Sequence, residues 1–230
     1  MTTERKTFKA LGALLTYPEE DLIEAISDIG HVIADEKLLS HTAQKRLLSL
    51  LDHLGRNDLM DAQEQYIQLF DRSRTLSLHL YEHVHGESRE RGPAMVNLRE
   101  VYRRYGFEMD SRELPDFLPV LAEFLSQVPE VTAREILGDA QVVLDAIRVR
   151  LDQRESPYAA VFAALVELAG KPVDTAEVEA QLKAAGEEDS DDLEAMDRAW
   201  EEAAVTFGAG DALQGSCPMV HRPPAQPPAA

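Results

Sequence analysis

A single cysteine, Cys217, stands among the 230 residues. One thiol excludes an internal disulfide framework and any cysteine-only metal site built from one chain, and it fits a reducing compartment. Cationic residues are scarce as well: 23 Lys and Arg face 42 Asp and Glu, a formal net charge of −19. Nucleic-acid binding needs clustered Lys and Arg against phosphates, so this balance argues against it, and it disfavours adhesion to anionic lipid. The same charge suits a basic peptide or protein surface, or simply keeps the chain in solution. Aromatic residues make up only 6% and long β-branched runs are missing, whereas Ala, Leu, Glu, Gln and Arg abound, which favours helix over strand. No stretch approaches the roughly 18 uninterrupted apolar residues of a membrane span. The apolar run at residues 10–15 is too short for one and has no small-residue cleavage site after it. The expectation is a cytoplasmic, soluble protein with no direct membrane insertion. Walker A, GxGxxG, GxSxG and CxxC patterns are absent too, which removes the usual parts for phosphoryl transfer, dinucleotide binding, serine hydrolysis and iron–sulfur ligation.

What is present is an ordinary share of apolar residues, 44%, set at helical spacing between Pro, Gly and polar breaks. Helices are predicted at residues 3–15, where Phe8, Leu11, Leu14 and Leu15 share a face before Tyr17-Pro18, and at 19–35 and 38–54. A fourth, at 57–70, aligns Leu59, Ala62, Tyr66, Leu69 and Phe70, with Asn57 or Asp58 as its N-cap. Residues 71–86 show no single period. Further helices are expected at 87–105, at 116–127, along the series Ile136, Leu137, Ala140, Val143, Leu144, Ile147 and Leu151, and at 157–169, opening on Pro157. No segment asks for a strand. The fold class is therefore all-α, a single compact multi-helix domain over residues 1–170. Beyond it the composition shifts: residues 173–202 hold twelve acidic and two basic side chains. Residues 171–207 thus read as an acidic helical extension, with helices at 175–185 and 191–203. Residues 208–230, rich in Pro and Ala, cannot build a core and read as a disordered tail.

The sharpest catalytic candidate is His79-Leu-Tyr-Glu82-His83, an H-x-x-E-H pattern. Two imidazoles one helical turn apart would hold zinc while the glutamate activates a metal-bound water, making the chain a zinc-dependent hydrolase. That reading needs an unbroken helix and a third ligand, and Ser77 and Gly86 interrupt the helix. The competing reading is recognition. From Tyr66 to Arg91, apolar Tyr66, Phe70, Leu78, Leu80, Tyr81 and Val84 mix with charged and titratable neighbours. Such a mixture suits a groove for an amphipathic helix, with apolar anchors for affinity and charged rims for register. A core helix followed by a polar loop explains it equally well.

The same residues carry a family resemblance. The run from Asp61 to Arg74, continuing through Glu82-His-Val-His-Gly-Glu-Ser-Arg89 to Ala94-Met-Val, resembles the signature of the NarJ-type nitrate reductase assembly chaperones, also called the delta subunit. Ser111-Arg-Glu-Leu-Pro-Asp-Phe-Leu-Pro119 is similar to the family's second signature. Gln153 to Tyr158 and Ala199 to Glu202 fall where further likeness is expected, so the resemblance spans roughly residues 8–207. Phe117 stands where the family commonly has histidine, and His79 is not part of the shared pattern.

The resemblance implies the all-helical fold of the wider dimethyl-sulfoxide-reductase chaperone superfamily and a task without catalysis or a cofactor of its own. The chaperone would hold the apo catalytic (alpha) subunit of respiratory nitrate reductase until its molybdenum cofactor and iron–sulfur cluster are installed, before membrane docking. It would recognise that subunit's basic N-terminal peptide, and molybdenum cofactor delivery proteins are a further implied partner. A different molybdoenzyme as client is the nearest alternative. For the groove, Tyr66, Leu69, Phe70, Tyr81 and Val84 are expected on an apolar floor, and Glu82, Glu87 and Asp116 on a negative rim. His83 and His85 would supply titratable contacts. Arg89 and Arg91 would bind or brace, and Glu113 and Pro115 would join through the second signature.

Overall fold

Residues three and four apart along a helix share a face, and that spacing builds every long element of the chain. The computed structural model describes residues 4–86, 88–109 and 113–184. Among them are α1 (Lys6–Ala13), α2 (Glu20–Glu36), α3 (His41–Arg56), α4 (Leu59–Tyr66), α5 (Leu80–His85), α6 (Arg91–Arg104), α7 (Leu118–Gln127), α8 (Glu130–Gln153), α9 (Ala159–Ala169) and α10 (Thr175–Ala184). The described residues contain no strand, and the all-α expectation holds for them.

The core is organised around α8, whose 24 residues span about 36 Å. Its periodic face buries Leu137, Leu144, Ile147 and Leu151, all sealed from solvent, and α9, packed against it, buries Val161, Phe162 and Leu165. Each such side chain, fully buried, contributes roughly 1.5–3 kcal/mol. α9 is apolar nearly all round because it has neighbours on two sides, α8 and α3. From α9 the packing runs through α3, α2, α1 and α7 and returns to α8, a closed ring of helices. The helix α10, at the start of the acidic stretch, lies against α8 and buries Val178. The predicted helix at 191–203, the tail and Cys217 lie outside the described residues.

Local chemistry sets the ends. The N-terminus of α1 is capped from a distance: the Glu36 carboxylate accepts the N–H groups of Lys6 and Thr7 at 2.8 Å each and the Thr7 hydroxyl at 2.7 Å, satisfying donors that a helix start leaves open. Asp58 caps α4 by accepting the Met60 N–H at 2.9 Å. Where α1 crosses α7 only glycine fits at position 12. A Cβ there would lie 2.9 Å from the Ala122 Cβ and 3.1 Å from the Pro119 carbonyl oxygen.

Three segments depart from the sequence pattern. The helix expected at 57–70 is α-helical only to Tyr66 and then widens into a π-helical turn, Ile67–Asp71. Residues 71–86 resolve into a 3₁₀ turn at Arg74–Leu76 and the short α5. The next helix begins at Arg91 rather than 87, because Gly86 leaves α5 at φ +52° and ψ −128°, a conformation suited to glycine.

Candidate functional site

Polar contacts between the π-helical turn and α6 converge on Ser77, which is buried. Its hydroxyl donates to Glu82 and accepts the His79 N–H at 3.2 Å, and its carbonyl accepts Nε2–H of His83 at 2.8 Å. Glu82 also accepts from the Arg91 guanidinium at 3.0 Å. Burial pushes the Glu82 carboxyl up, but the Ser77 hydroxyl and Arg91 together outweigh it and hold the group below its ordinary value. His83 is shifted down, chiefly by burial, against the upward pull of its bond to the Ser77 carbonyl. It is therefore neutral at neutral pH. From α10, Gln181 donates to the His83 carbonyl at 2.8 Å, locking α5 from behind.

Asp116 ties the second signature to the first. It is fully buried. One carboxylate oxygen accepts the Tyr81 N–H at 2.9 Å, its carbonyl accepts the Leu80 N–H at 3.2 Å, and the other carboxylate oxygen lies 3.5 Å from His79 Nδ1. The carboxylate thus serves open donors at the start of α5. His79 is shifted up, first by its bond to Asp116 and against the opposing effect of burial. Leu118 donates to the Leu78 carbonyl at 2.9 Å, completing an isolated antiparallel bridge between His79 and Phe117.

The wall so held, residues 77–79, faces a groove of about 730 Å³. Tyr17, Tyr66, Phe70 and Phe117 line it with four aromatic rings. Asp71, Glu113 and Glu123 bring three carboxylates, against the Lys9 ammonium, which lies 3.5 Å from Glu123. Tyr66 anchors the floor by donating to the Leu15 carbonyl at 2.9 Å, and its ring centroid lies 5.7 Å from Tyr17 and 5.0 Å from Phe70. Behind them Phe70 meets Tyr158 edge to face at 5.2 Å. The π-helical turn puts the adjacent residues Phe70 and Asp71 on the same groove. Such turns recur at functional sites because the register they insert re-aims side chains.

Of the residues singled out from sequence, Tyr66, Phe70 and Glu113 line this groove. Leu69 packs half-buried against the core. Tyr81, Glu82, His83, Val84 and His85 sit on α5, which braces the wall. Val84 is 59% exposed, and the His85 ring stands edge-on to Tyr81 at 5.5 Å. Arg89 is exposed. Pro115 is buried, its carbonyl accepting the Tyr102 hydroxyl at 2.6 Å. Asp116, expected as a rim charge, is instead fully buried because the start of α5 needs its oxygens. Glu87 lies outside the described residues.

The groove also draws on residues that the sequence pattern did not single out. Tyr17 read as part of a helix stop, and Phe117 as a departure from the second signature; Asp71, Glu123 and Lys9 carried no local signal. The zinc pattern is not assembled. His79 precedes α5 in extended backbone (φ −89°, ψ 102°) and faces Asp116, whereas His83 faces the Ser77 carbonyl. Among the described residues no group of three or more His, Cys, Asp or Glu could hold a metal ion. No helix among them is long and apolar enough to cross a membrane.

Comparison with known proteins adds an independent line. A family model described as nitrate reductase delta subunit matches residues 36–164. The nitrate reductase molybdenum cofactor assembly chaperone NarJ of Escherichia coli (strain K12) is 43% identical over 209 residues, covering 91% of this chain and 88% of that protein. From the same strain, "Probable nitrate reductase molybdenum cofactor assembly chaperone NarW" is 40% identical over 199 residues, 86% of this chain and 82% of that one. A crystal structure from Archaeoglobus fulgidus, provisionally assigned as a redox enzyme maturation protein, superposes with a TM-score of 0.54 at 20% identity, covering 74% of this chain and 96% of that one. At that identity the likeness speaks for the fold alone.

Proposed function

This chain belongs to the nitrate reductase delta subunit family, and from that premise we propose that it is a cytoplasmic chaperone for the apo catalytic subunit of respiratory nitrate reductase. The two Escherichia coli relatives are named for assembly, not catalysis. The chaperone binds the basic, amphipathic N-terminal segment of that subunit and holds it competent for insertion of the molybdenum cofactor and iron–sulfur cluster. While the segment is occupied, the subunit is kept from docking early at the membrane. Proteins that deliver the molybdenum cofactor are a second class of partner.

The observation that carries this reading is the groove, four aromatic rings beside three carboxylates. Apolar anchors of an amphipathic helix would bury against Tyr17, Phe70 and Phe117, and Lys or Arg on its flanks would meet Asp71, Glu113 and Glu123. The net charge of −19 steers a basic segment toward the protein before contact. The polar strut centred on Ser77 and Asp116 keeps one wall in place, so little ordering entropy is spent on binding.

Isothermal titration of the full chain with a synthetic peptide from the N-terminus of the catalytic subunit tests the proposal. Binding that weakens in Tyr17→Ala and Phe117→Ala supports it. No heat at tens of micromolar peptide, with the chain folded by circular dichroism, refutes it.

A further inference from the structure

A second groove, of about 540 Å³, opens on the other flank of α1, between it and α2. Its floor is apolar and shallow: Ala10 and Ala25 are small, and Ile29 and Val32 close it below. Glu19, Asp21 and Asp28 stand exposed around it. Lys9, Ala13, Thr16 and Tyr17 belong to both grooves. The two therefore meet across α1 and the turn that follows it, with Tyr17, 41% exposed, between them.

We propose that the α1–α2 groove is a second subsite for the same cationic amphipathic segment, which crosses α1 beside Tyr17 and seats in both grooves. The proposal rests on the reading of the first groove as a peptide site and extends it to the length of segment recognised. Continuity is the first argument, because Lys9, Ala13, Thr16 and Tyr17 line both grooves, so a segment leaving the aromatic groove past Tyr17 stays on the surface of α1 as it enters the alanine-floored one. Charge is the second. Carboxylates outnumber ammonium groups around both grooves: Asp71, Glu113 and Glu123 against Lys9 at the first, and Glu4, Glu19, Asp21 and Asp28 against Lys6 and Lys9 at the second. A basic segment is therefore favoured in each, while Lys9 stands at the crossing. A second copy of this chain, at −19, would bring like charge to the same rim.

The geometry sets a length requirement. A helix is about 10 Å across, so crossing α1 takes about three extended residues at roughly 3.3 Å each. A short segment fills the aromatic groove alone. A longer one gains the second groove as an intramolecular step, which multiplies affinity without a new partner.

Two synthetic peptides from the N-terminus of the nitrate reductase catalytic subunit, of about 15 and about 30 residues, are titrated into the full chain. The variants are Ala25→Arg, which fills the second groove, and Asp28→Lys, which reverses an exposed rim charge without touching the core. The wild type is expected to bind the long peptide about tenfold more tightly than the short one. Each variant should erase that advantage while leaving the short peptide unchanged; circular dichroism checks the fold, and Asp28→Lys decides if Ala25→Arg misfolds. Equal affinity of the wild type for both peptides overturns the second subsite alone, as does an advantage that survives in Asp28→Lys. No binding of either peptide overturns the groove reading and this inference with it.

Discussion

Replacing Asp116 tests whether the second signature acts as a structural strut. In Asp116→Ala the Tyr81 N–H loses its acceptor at 2.9 Å, and His79 loses the carboxylate 3.5 Å from Nδ1. A partly buried donor left open costs about 1–3 kcal/mol, and loss of a bond to a charged group lies in the same range. The vacated volume adds to this. We expect about 3 kcal/mol of destabilisation, which for a domain of this size lowers Tm by roughly 6–12 °C. Asp116→Asn keeps an oxygen for Tyr81 while the charge is lost and an amide NH2 replaces the oxygen facing His79, so it should cost less than half as much. Urea unfolding followed by circular dichroism reads both. The pair with His79 adds a pH signature. Its pKa is raised from 6.5 in the folded chain, so its contribution is fully present below the unfolded value and disappears as pH rises through the folded one. The stability gap between wild type and Asp116→Asn should therefore be wider at about pH 5.5 than at about pH 9. His83 is shifted the opposite way, and the Asp116 charge pulls it up against burial; losing that charge lowers it further and widens the gap at low pH in the same sense. An Asp116→Ala protein within about 1 kcal/mol of wild type, or a gap that does not change with pH, would refute the reasoning.

Gly12→Ala places a methyl 2.9 Å from the Ala122 Cβ and 3.1 Å from a backbone oxygen. It should cost about 1–3 kcal/mol by overpacking, read by thermal melting, and should weaken peptide binding because α1 walls the groove. Tyr158→Phe should run the other way. The Tyr158 hydroxyl is buried without a hydrogen-bond partner among the described residues, and burial pushes its pKa up to about 12. Removing it should leave stability unchanged or raise it by up to about 1 kcal/mol. Glu82→Gln should flatten the acid limb of the stability profile. The Glu82 pKa is held below 4.5, so the wild type keeps that contribution above the unfolded value and loses it as pH falls through the folded one.

The long helices were legible because their burial is one-sided or complete. The Ile136 to Leu151 series is periodic over four turns, and α8 carries it; α8 nonetheless starts at Glu130, where Pro129 rather than the apolar period sets the boundary. The region 71–86 was not legible, since its structure rests on side-chain bonds of Ser77, Glu82 and His83 rather than on a period. The π-helical turn at Ile67–Asp71 left no trace either, because Tyr66, Leu69 and Phe70 satisfy an α-helical spacing equally well. Groove member Tyr17 lies far in sequence from Phe117 and Glu123 and meets them only once α1 packs on α7. That crossing depends on the absence of a side chain at Gly12, which no local pattern announces.

Within the run from Glu82 to Arg89, Glu82 and His83 are tied into a polar network that holds α5. Charged and apolar residues interleaved at helical spacing fit a peptide-facing rim, but they fit a buried polar network as well, since every polar group taken from water needs a partner. Here Glu82 has two partners and His83 one through its ring and one through its carbonyl. On the proposed function the peptide would meet the aromatic rings and carboxylates of the groove, drawn from the turn after α1, the end of α4, the π-helical turn, and the approach to and body of α7. The two sets should separate by measurement. Changes within the α5 network act on stability first and reach peptide affinity only by displacing residues 77–79. Changes at Tyr17 and Phe117, which are not sealed in the core, act on affinity with little loss of stability. A groove whose wall is held by one set of residues and whose contacts come from another can change its specificity without disturbing the network that shapes it.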